Sequence, residues 1–253
     1  MSSFQKDYVE VYEPEMLGKG FSRKRYVFHR LVNNKIVQKL SYVIFRGRMD
    51  FTIQFCFEPL CAGGEITVFM DDYRLGSLIG GELLGRRNMG SQDALRETLE
   101  ICQKHLFPYF DSVIDYGSYL DYMKEKYRKD LALYNEATRK RVESRYIDGV
   151  SSINDSCYHV NIALGNYETA LKCRKALLEM NTERTKPTDD YWIKKNQEMA
   201  DDYESMKFAV ENNDTGYIEE CIANNEQQAL KSYILNFHGK RAFERFRLSG
   251  KWL

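Results

Sequence analysis

Between Phe51 and Glu58 the chain alternates without a fault. Phe51, Ile53, Phe55 and Phe57 point one way; Thr52, Gln54, Cys56 and Glu58 point the other. A period of two marks a half-buried strand. Four large apolar side chains on one face also demand a second layer to cover them. The residues before this segment supply partners for it. Lys24 to Val32 and Lys35 to Phe45 are rich in β-branched and aromatic residues. The pair Asn33-Asn34 between them fits a tight hairpin turn, because Asn tolerates positive φ. Pro59 and Gly63-Gly64 close the alternating segment, and a fourth short strand is expected around Asp72 to Leu78. These connections are too short for crossover helices, so the sheet is expected to be an antiparallel meander. Residues 4–17 suit a short helix, with Pro14 as an obstacle in its interior.

From Ser91 the period lengthens to that of a helix. Ser91 suits an N-cap for a helix whose stripe is Leu95, Leu99, Cys102 and Leu106, ending near Pro108. A longer helix is expected from about Ser118, with Leu120, Met123, Tyr127, Leu131 and Tyr134 on one stripe, continuing towards Arg145. Asp148-Gly149 breaks the pattern, and residues 150–156 have loop composition. Helices follow at Tyr158–Leu164 and Tyr167–Met180, parted by Gly165-Asn166, as in a helical hairpin. Another runs from about Asp190 to Val210 behind the start signal Pro187, Thr188, Asp189. The last two are expected at Tyr217–Ala223 and Gln227–Phe237, before a short tail ending in Trp252. The fold class expected is therefore α+β. An N-terminal antiparallel sheet packed with helices occupies residues 1–147, and an all-helical domain or extension occupies 148–253.

Charge singles out one region. Lys and Arg total 37, as do Asp and Glu, yet Lys19 to Met49 holds nine basic residues and no acid. A neutral total gives no global attraction to nucleic acid or an anionic membrane. The local excess makes Arg23, Lys24, Arg25, Arg46 and Arg48 the candidate ligand-binding residues, since clustered Arg with Tyr and Phe suits phosphate or single-stranded nucleic acid. Read as one strand, Lys24–Val32 divides these charges between two faces, with Arg23 and Arg25 beside His29. The competing expectation is structural: a solvated strand face, or ion pairs with Glu10, Glu13, Glu15 or the helical half. Arg74, preceded by Asp71-Asp72 and followed by Gly76, is a further candidate for a carboxylate, from the protein or from a ligand. A cleft gathering Arg74, His29 and one of Asp71, Asp72 or Glu58 is what an enzyme reading requires.

Other chemistry lacks its pattern. Gly76, Gly80, Gly81, Gly85 and Gly90 show neither the G-K-[ST] of a P-loop nor G-x-G-x-x-G spacing. His29, His105, His159 and His238 are scattered, and no G-x-S-x-G elbow occurs. The six cysteines form no C-x-x-C pair, so neither a disulfide framework nor a metal site is expected. No cofactor is expected either. No apolar run approaches the 18 residues of a spanning helix. The mixed charges of the first 15 residues lack a signal-peptide core, and a cytoplasmic location without a membrane partner is expected.

Five segments in order carry a family resemblance. They are Gly20-Phe21-Ser22-Arg23-Lys24, Asn34-Lys35-Ile36-Val37-Gln38, Phe51-Thr52-Ile53-Gln54, Arg74-Leu75-Gly76-Ser77-Leu78 and Leu106-Phe107-Pro108-Tyr109-Phe110. Over roughly residues 10–125 the chain resembles the uncharacterised domain of unknown function 4304 family. It departs from that family in Lys35, where Gly is usual, in lacking the Trp residues common after the R-x-G segment, and in its C-terminal helical extension. The resemblance implies a fold and no activity. Separately, Leu164-Gly165-Asn166-Tyr167-Glu168-Thr169-Ala170-Leu171 resembles the middle of a tetratricopeptide repeat, without a 34-residue recurrence. The function expected is binding rather than catalysis, with a protein as partner. A neutralising partner of a bacterial toxin or an accessory subunit would suit such a chain. Nucleic-acid or phosphate-ligand binding is the alternative, and an enzyme with an unrecognised site the second.

Overall fold

The computed structural model describes residues 3–45, 50–68, 73–80, 85–88, 92–133, 136, 143, 146–151, 155–184 and 190–248. Its first element is helix α1 (Ser3–Gly18), which buries Phe4, Tyr8, Tyr12 and Met16, a stripe with a spacing of four. Pro14 lies inside this helix on the exposed side. Its interior position costs about 3 kcal/mol. Burying four large side chains, at roughly 1.5–3 kcal/mol each, outweighs that cost.

The sheet is antiparallel throughout. Strands β1 (Ser22–Lys24), β2 (Val27–Val32), β3 (Ile36–Ile44), β4 (Asp50–Pro59) and β5 (Tyr73–Arg74) lie in that order, and β6 (Arg87–Asn88) pairs with β4 further along the same side as β5. Asn33 and Asn34 both take positive φ, 50° and 54°, and Lys35 N–H donates to Val32 O at 2.9 Å. This is the primed turn expected there. The expected single strand from Lys24 to Val32 is instead broken by a hairpin turn at Arg25-Tyr26, with Arg25 at φ 58°. No Gly or Asn marks that turn in the sequence. The fourth strand is also shorter than expected: after Arg74 the chain enters helix α2 (Leu75–Ile79).

Both faces of the sheet are covered. Phe28, Leu40, Phe51, Ile53, Phe55 and Phe57 share one face by register. They form a common core with α1, with α3 (Gln92–His105) and with α4 (Phe107–Ser112). Gln38 on this face donates to the carbonyls of Phe110 and Val113 at 2.9 and 2.8 Å, which fixes the end of α4 against β3. The other face carries Val27, His29, Val37, Lys39, Ser41, Thr52 and Cys56, and these are buried too. The half-buried strand read from the alternation is thus covered on both sides, because C-terminal residues return to the sheet.

Helix α5 (Tyr116–Leu133) follows, capped by Asp115, whose carboxylate accepts from Ser118 N–H at 2.8 Å. The break expected at Asp148-Gly149 is the turn of a two-stranded hairpin, β7 (Tyr146–Ile147) and β8 (Val150–Ser151), with φ 52° and 79°, and β8 opens the segment expected as a loop. Helices α6 (Asp155–Ala163), α7 (Tyr167–Arg184), α8 (Asp190–Glu211) and α9 (Thr215–Tyr233) come next. Helix α9 is continuous where two helices were expected. It runs into a π-helical turn (Ile234–His238), and a further helix, α10 (Lys240–Leu248), replaces most of the expected tail.

Two helix ends in this half close identically. Gly165 N–H donates to Ile162 O and Asn166 N–H to Asn161 O; 48 positions later Asn213 N–H donates to Val210 O and Asp214 N–H to Ala209 O. Gly165 and Asn213 supply the left-handed residue this C-cap needs, at φ 75° and 54°. Helix α6 touches α7 and α9, α7 touches α8, and α8 touches α9. The four helices therefore close in a ring around Tyr158, Ile162, Ala170, Met206, Ala209 and Ile218. The main core is continuous across residue 147, since Cys157, Val160, Cys173, Ala229, Tyr233 and Phe237 belong to the same cluster as the sheet residues.

Candidate functional site

Seven of the nine basic residues between Lys19 and Met49 lie among the described residues. Five meet carboxylates: Lys19 and Asp111 at 3.0 Å, Arg23 and Glu13 at 2.6 Å, Arg30 and Asp111 at 3.8 Å, Lys35 and Glu226 at 2.6 Å, Lys39 and Glu58 at 2.7 Å. Glu13 is one of the three acids expected to pair with this run, and Glu226 comes from the helical half. Lys24 and Arg25 keep no ion pair among the described residues. Arg46, Arg48, Asp71 and Asp72 lie outside the described residues.

The hairpin at Arg25-Tyr26 also reassigns the faces. Lys24 pairs with Val27 and so stands on the His29 face, whereas Arg23 pairs with Phe28 on the other. Arg74, on β5, is four strand spacings from Lys24, on the order of 19 Å. Its guanidinium lies 5.3 Å from the centre of the Phe45 ring. The sheet therefore spreads Arg23, Lys24, Arg25 and Arg74 rather than gathering them. Glu58 and His29 do share a face, with Lys39 between them: Lys39 pairs with His29 across β2 and β3, and its ammonium holds Glu58.

A polar seam joins the sheet to the helices. The Tyr116 hydroxyl donates to Glu226 at 2.6 Å and accepts from Cys61 N–H at 3.0 Å, and Lys35 lies 5.0 Å from the centre of the Tyr116 ring. Beside Glu226, Asn225 donates to Cys61 O at 3.0 Å and approaches His159 Nδ1 at 3.4 Å. That leaves His159 Nε2 to face Asp155 at 3.6 Å. Arg174, its side chain 5 % exposed, is clamped between Asp155 and Asp202 and lies over the Tyr158 ring at 3.8 Å. Partial burial opposes ionisation of Asp155, but the bond from His159 and the charge of Arg174 prevail and hold its carboxyl at about 2. Burial pushes the Cys61 and Cys102 thiols up to about 12 and that of Cys173 to about 11. These three are protonated at neutral pH and poor nucleophiles. Ion pairs and hydrogen bonds within the seam tie the sheet to the helices, while Arg174 Nε and the Tyr158 hydroxyl are buried without a hydrogen-bond partner among the described residues.

His29 anchors a second cluster. It is 1 % exposed, shares a 2.9 Å hydrogen bond with the Tyr233 hydroxyl, and packs its ring 4.2 Å from that of Phe237 and 5.4 Å from that of His238, centre to centre. Burial, then the neighbouring His238, Lys24 and Lys39, lower its pKa to about 3. The π-helical turn, a distortion common at functional positions, brings Phe237 and His238 here.

A third feature was not foreseen from the sequence. At the start of α8, Tyr191, Trp192 and Ile193 are 63, 52 and 44 % exposed, and every residue from Asp190 to Glu198 except Asn196 is exposed. The first turns of this helix are thus exposed on nearly every side. Three consecutive apolar residues span about 200° of a helix, more than one buried stripe can cover, and that was the available signal.

Among the described residues no three His, Cys, Asp or Glu side chains gather as a metal ion would require, and no helix is long and apolar enough to cross a membrane. No family model, curated protein or solved structure matches the chain.

Proposed function

We propose that this protein acts by binding another protein, through the exposed start of α8. The observation that carries this reading is the exposed sequence Tyr191-Trp192-Ile193 in the first turns of a helix whose later residues pack in the bundle. Tyr and Trp are the side chains most often found as binding hot spots, because a rigid ring buries much area for little lost entropy. Binding rather than catalysis is supported by the buried thiols, which burial keeps protonated at neutral pH. Oligonucleotide binding along the basic strands has less support, since five of those cations already hold a carboxylate.

The test compares the full chain with the Tyr191→Ala/Trp192→Ala double variant in quantitative co-purification. Because both side chains are exposed, the variant should keep its thermal midpoint. A partner held by the parent should weaken at least about 30-fold, the cost of losing a hot spot of ~2 kcal/mol. Equal retention by both proteins would remove α8 as the contact.

A further inference from the structure

The end of α9 brings a second imidazole, His238, to the face of the sheet that carries Lys24 and His29. By register, Lys24 and His29 stand on the same face of the first hairpin, Lys24 opposite Val27 and His29 two residues along the same strand. Such diagonal neighbours are roughly 7–8 Å apart, within reach of a lysine side chain. His238 is exposed and stands over His29, ring centres 5.4 Å apart. Lys24 depresses the pKa of both imidazoles, burial being the larger cause in each. Lys39 approaches from β3, but its charge is already met by Glu58 from β4. Tyr233 contributes a hydroxyl from α9. Beyond the turn, Lys240 and Arg241 follow at once, both exposed. No carboxylate pairs with Lys24 among the described residues, although the chain as a whole is neutral.

We propose that Lys24 and His238 bind a small oxyanion of the phosphate or sulfate kind, with the buried His29–Tyr233 pair holding His238 and the turn in place beneath it. The site shares no residue with the exposed start of α8 and does not depend on the protein-binding proposal. Lys24 supplies a fixed point charge. His238 supplies an N–H donor, and a full charge when protonated. Charge-assisted hydrogen bonds of this type are the strong ones. An anion bound there would balance the local charge and draw a proton onto His238.

Inorganic phosphate, sulfate and phenyl phosphate, titrated separately into the full chain by calorimetry, test this. Saturable binding with a Kd of about 1 mM or tighter is expected. Lys24→Met and His238→Gln should each weaken it about tenfold, the loss of one hydrogen bond to a charged group. Sulfate keeps its charge across the range, so sulfate binding that is tighter at pH 5.5 than at pH 7.5 in the parent, and not in His238→Gln, reports protonation of His238. Equal affinity for phosphate and phenyl phosphate identifies a free anion as the ligand; a preference for the ester identifies the terminal group of a larger one. Arg25→Gln is the control, an exposed cation on the same hairpin. No saturable binding, or equal weakening by Arg25→Gln, overturns the site and leaves a generally positive surface. A change in melting midpoint separates a folding defect in either site variant from lost binding.

Discussion

His29 is a base kept without its proton by burial and by two nearby lysines. Its charged or titratable neighbours are His238, Lys24 and Lys39, and Glu58, on the same face of the sheet, is held by Lys39. Its pKa is lowered from 6.5 to about 3. The unfolded chain therefore binds more protons at this position throughout that window. Stability from the neutral imidazole is complete above about pH 6.5 and is lost as pH falls towards 3, with a slope of at most ~1.4 kcal/mol per pH unit. Urea midpoints measured from pH 7.5 to 4 should fall steeply for the parent chain. The His29→Gln variant should start lower at pH 7.5, having lost the fit to Tyr233, and decline less. Parallel declines would show that another group controls acid stability. None of this was legible in the sequence, where His29 is one of four scattered histidines. Its burial is decided by Tyr233 and Phe237, about two hundred positions away. The partner of Arg23 was legible, because Glu13 is only ten residues back and sits on the neighbouring helix.

Elements were legible where turn chemistry announced them. Asn33-Asn34 gives a primed turn because both residues tolerate positive φ, and it sets the β2–β3 register. Asp148-Gly149 uses the same chemistry, but its strands are two residues each, too short to show alternation. The turn at Arg25-Tyr26 has no such residue, and without it the faces expected for Lys24 and Arg23 were exchanged. Turn signals say nothing, however, of how closely two backbones approach. At the outer side of β4, Thr52 donates to Gly85 O at 2.7 Å, and a methyl group on Gly85 would stand 2.5 Å from Gly76 N and 2.9 Å from Gly76 Cα. Both contacts are backbone, so no side chain can yield. Gly85→Ala should cost roughly 1–3 kcal/mol, the usual range for overpacking. Chemical denaturation would read this as a lower midpoint at unchanged slope. Gly64→Ala is a contrasting case: the space there is open, and only its φ of 79° opposes a side chain. A Gly85→Ala midpoint equal to that of the parent would mean that α2 is free to shift away from the sheet.

At the scale of the whole molecule, the sequence changes character near residue 147 while the core does not. The expected division into 1–147 and 148–253 follows a real change of period. Yet the helical part supplies one cover of the sheet: Tyr233, Ile234 and Phe237 join the cluster of Val27, Val37 and Cys56. It also supplies polar partners, with Ser232 accepting from Ile66 N–H at 2.9 Å, Asn225 holding Cys61 O, and Glu226 holding Lys35 and Tyr116. A chain ending at residue 147 would expose this apolar face and leave Lys39, 0 % exposed in the full chain, beside a surface without its cover. Burial sufficient for a domain of that size would be lost on one of two faces. The full chain is expected to unfold in one step, with far-ultraviolet ellipticity and tyrosine fluorescence changing together. The fragment 1–147 should show no cooperative transition and should bind a hydrophobic dye. The reciprocal fragment, 148–253, retains the small ring core of Tyr158, Ile162, Ala170, Met206, Ala209 and Ile218. It should keep helical ellipticity while melting broadly. A sharp transition and a native-like near-ultraviolet spectrum from 1–147 alone would show that the sheet and its first helices form an independent unit, and that α9 packs on a face already able to stand in water.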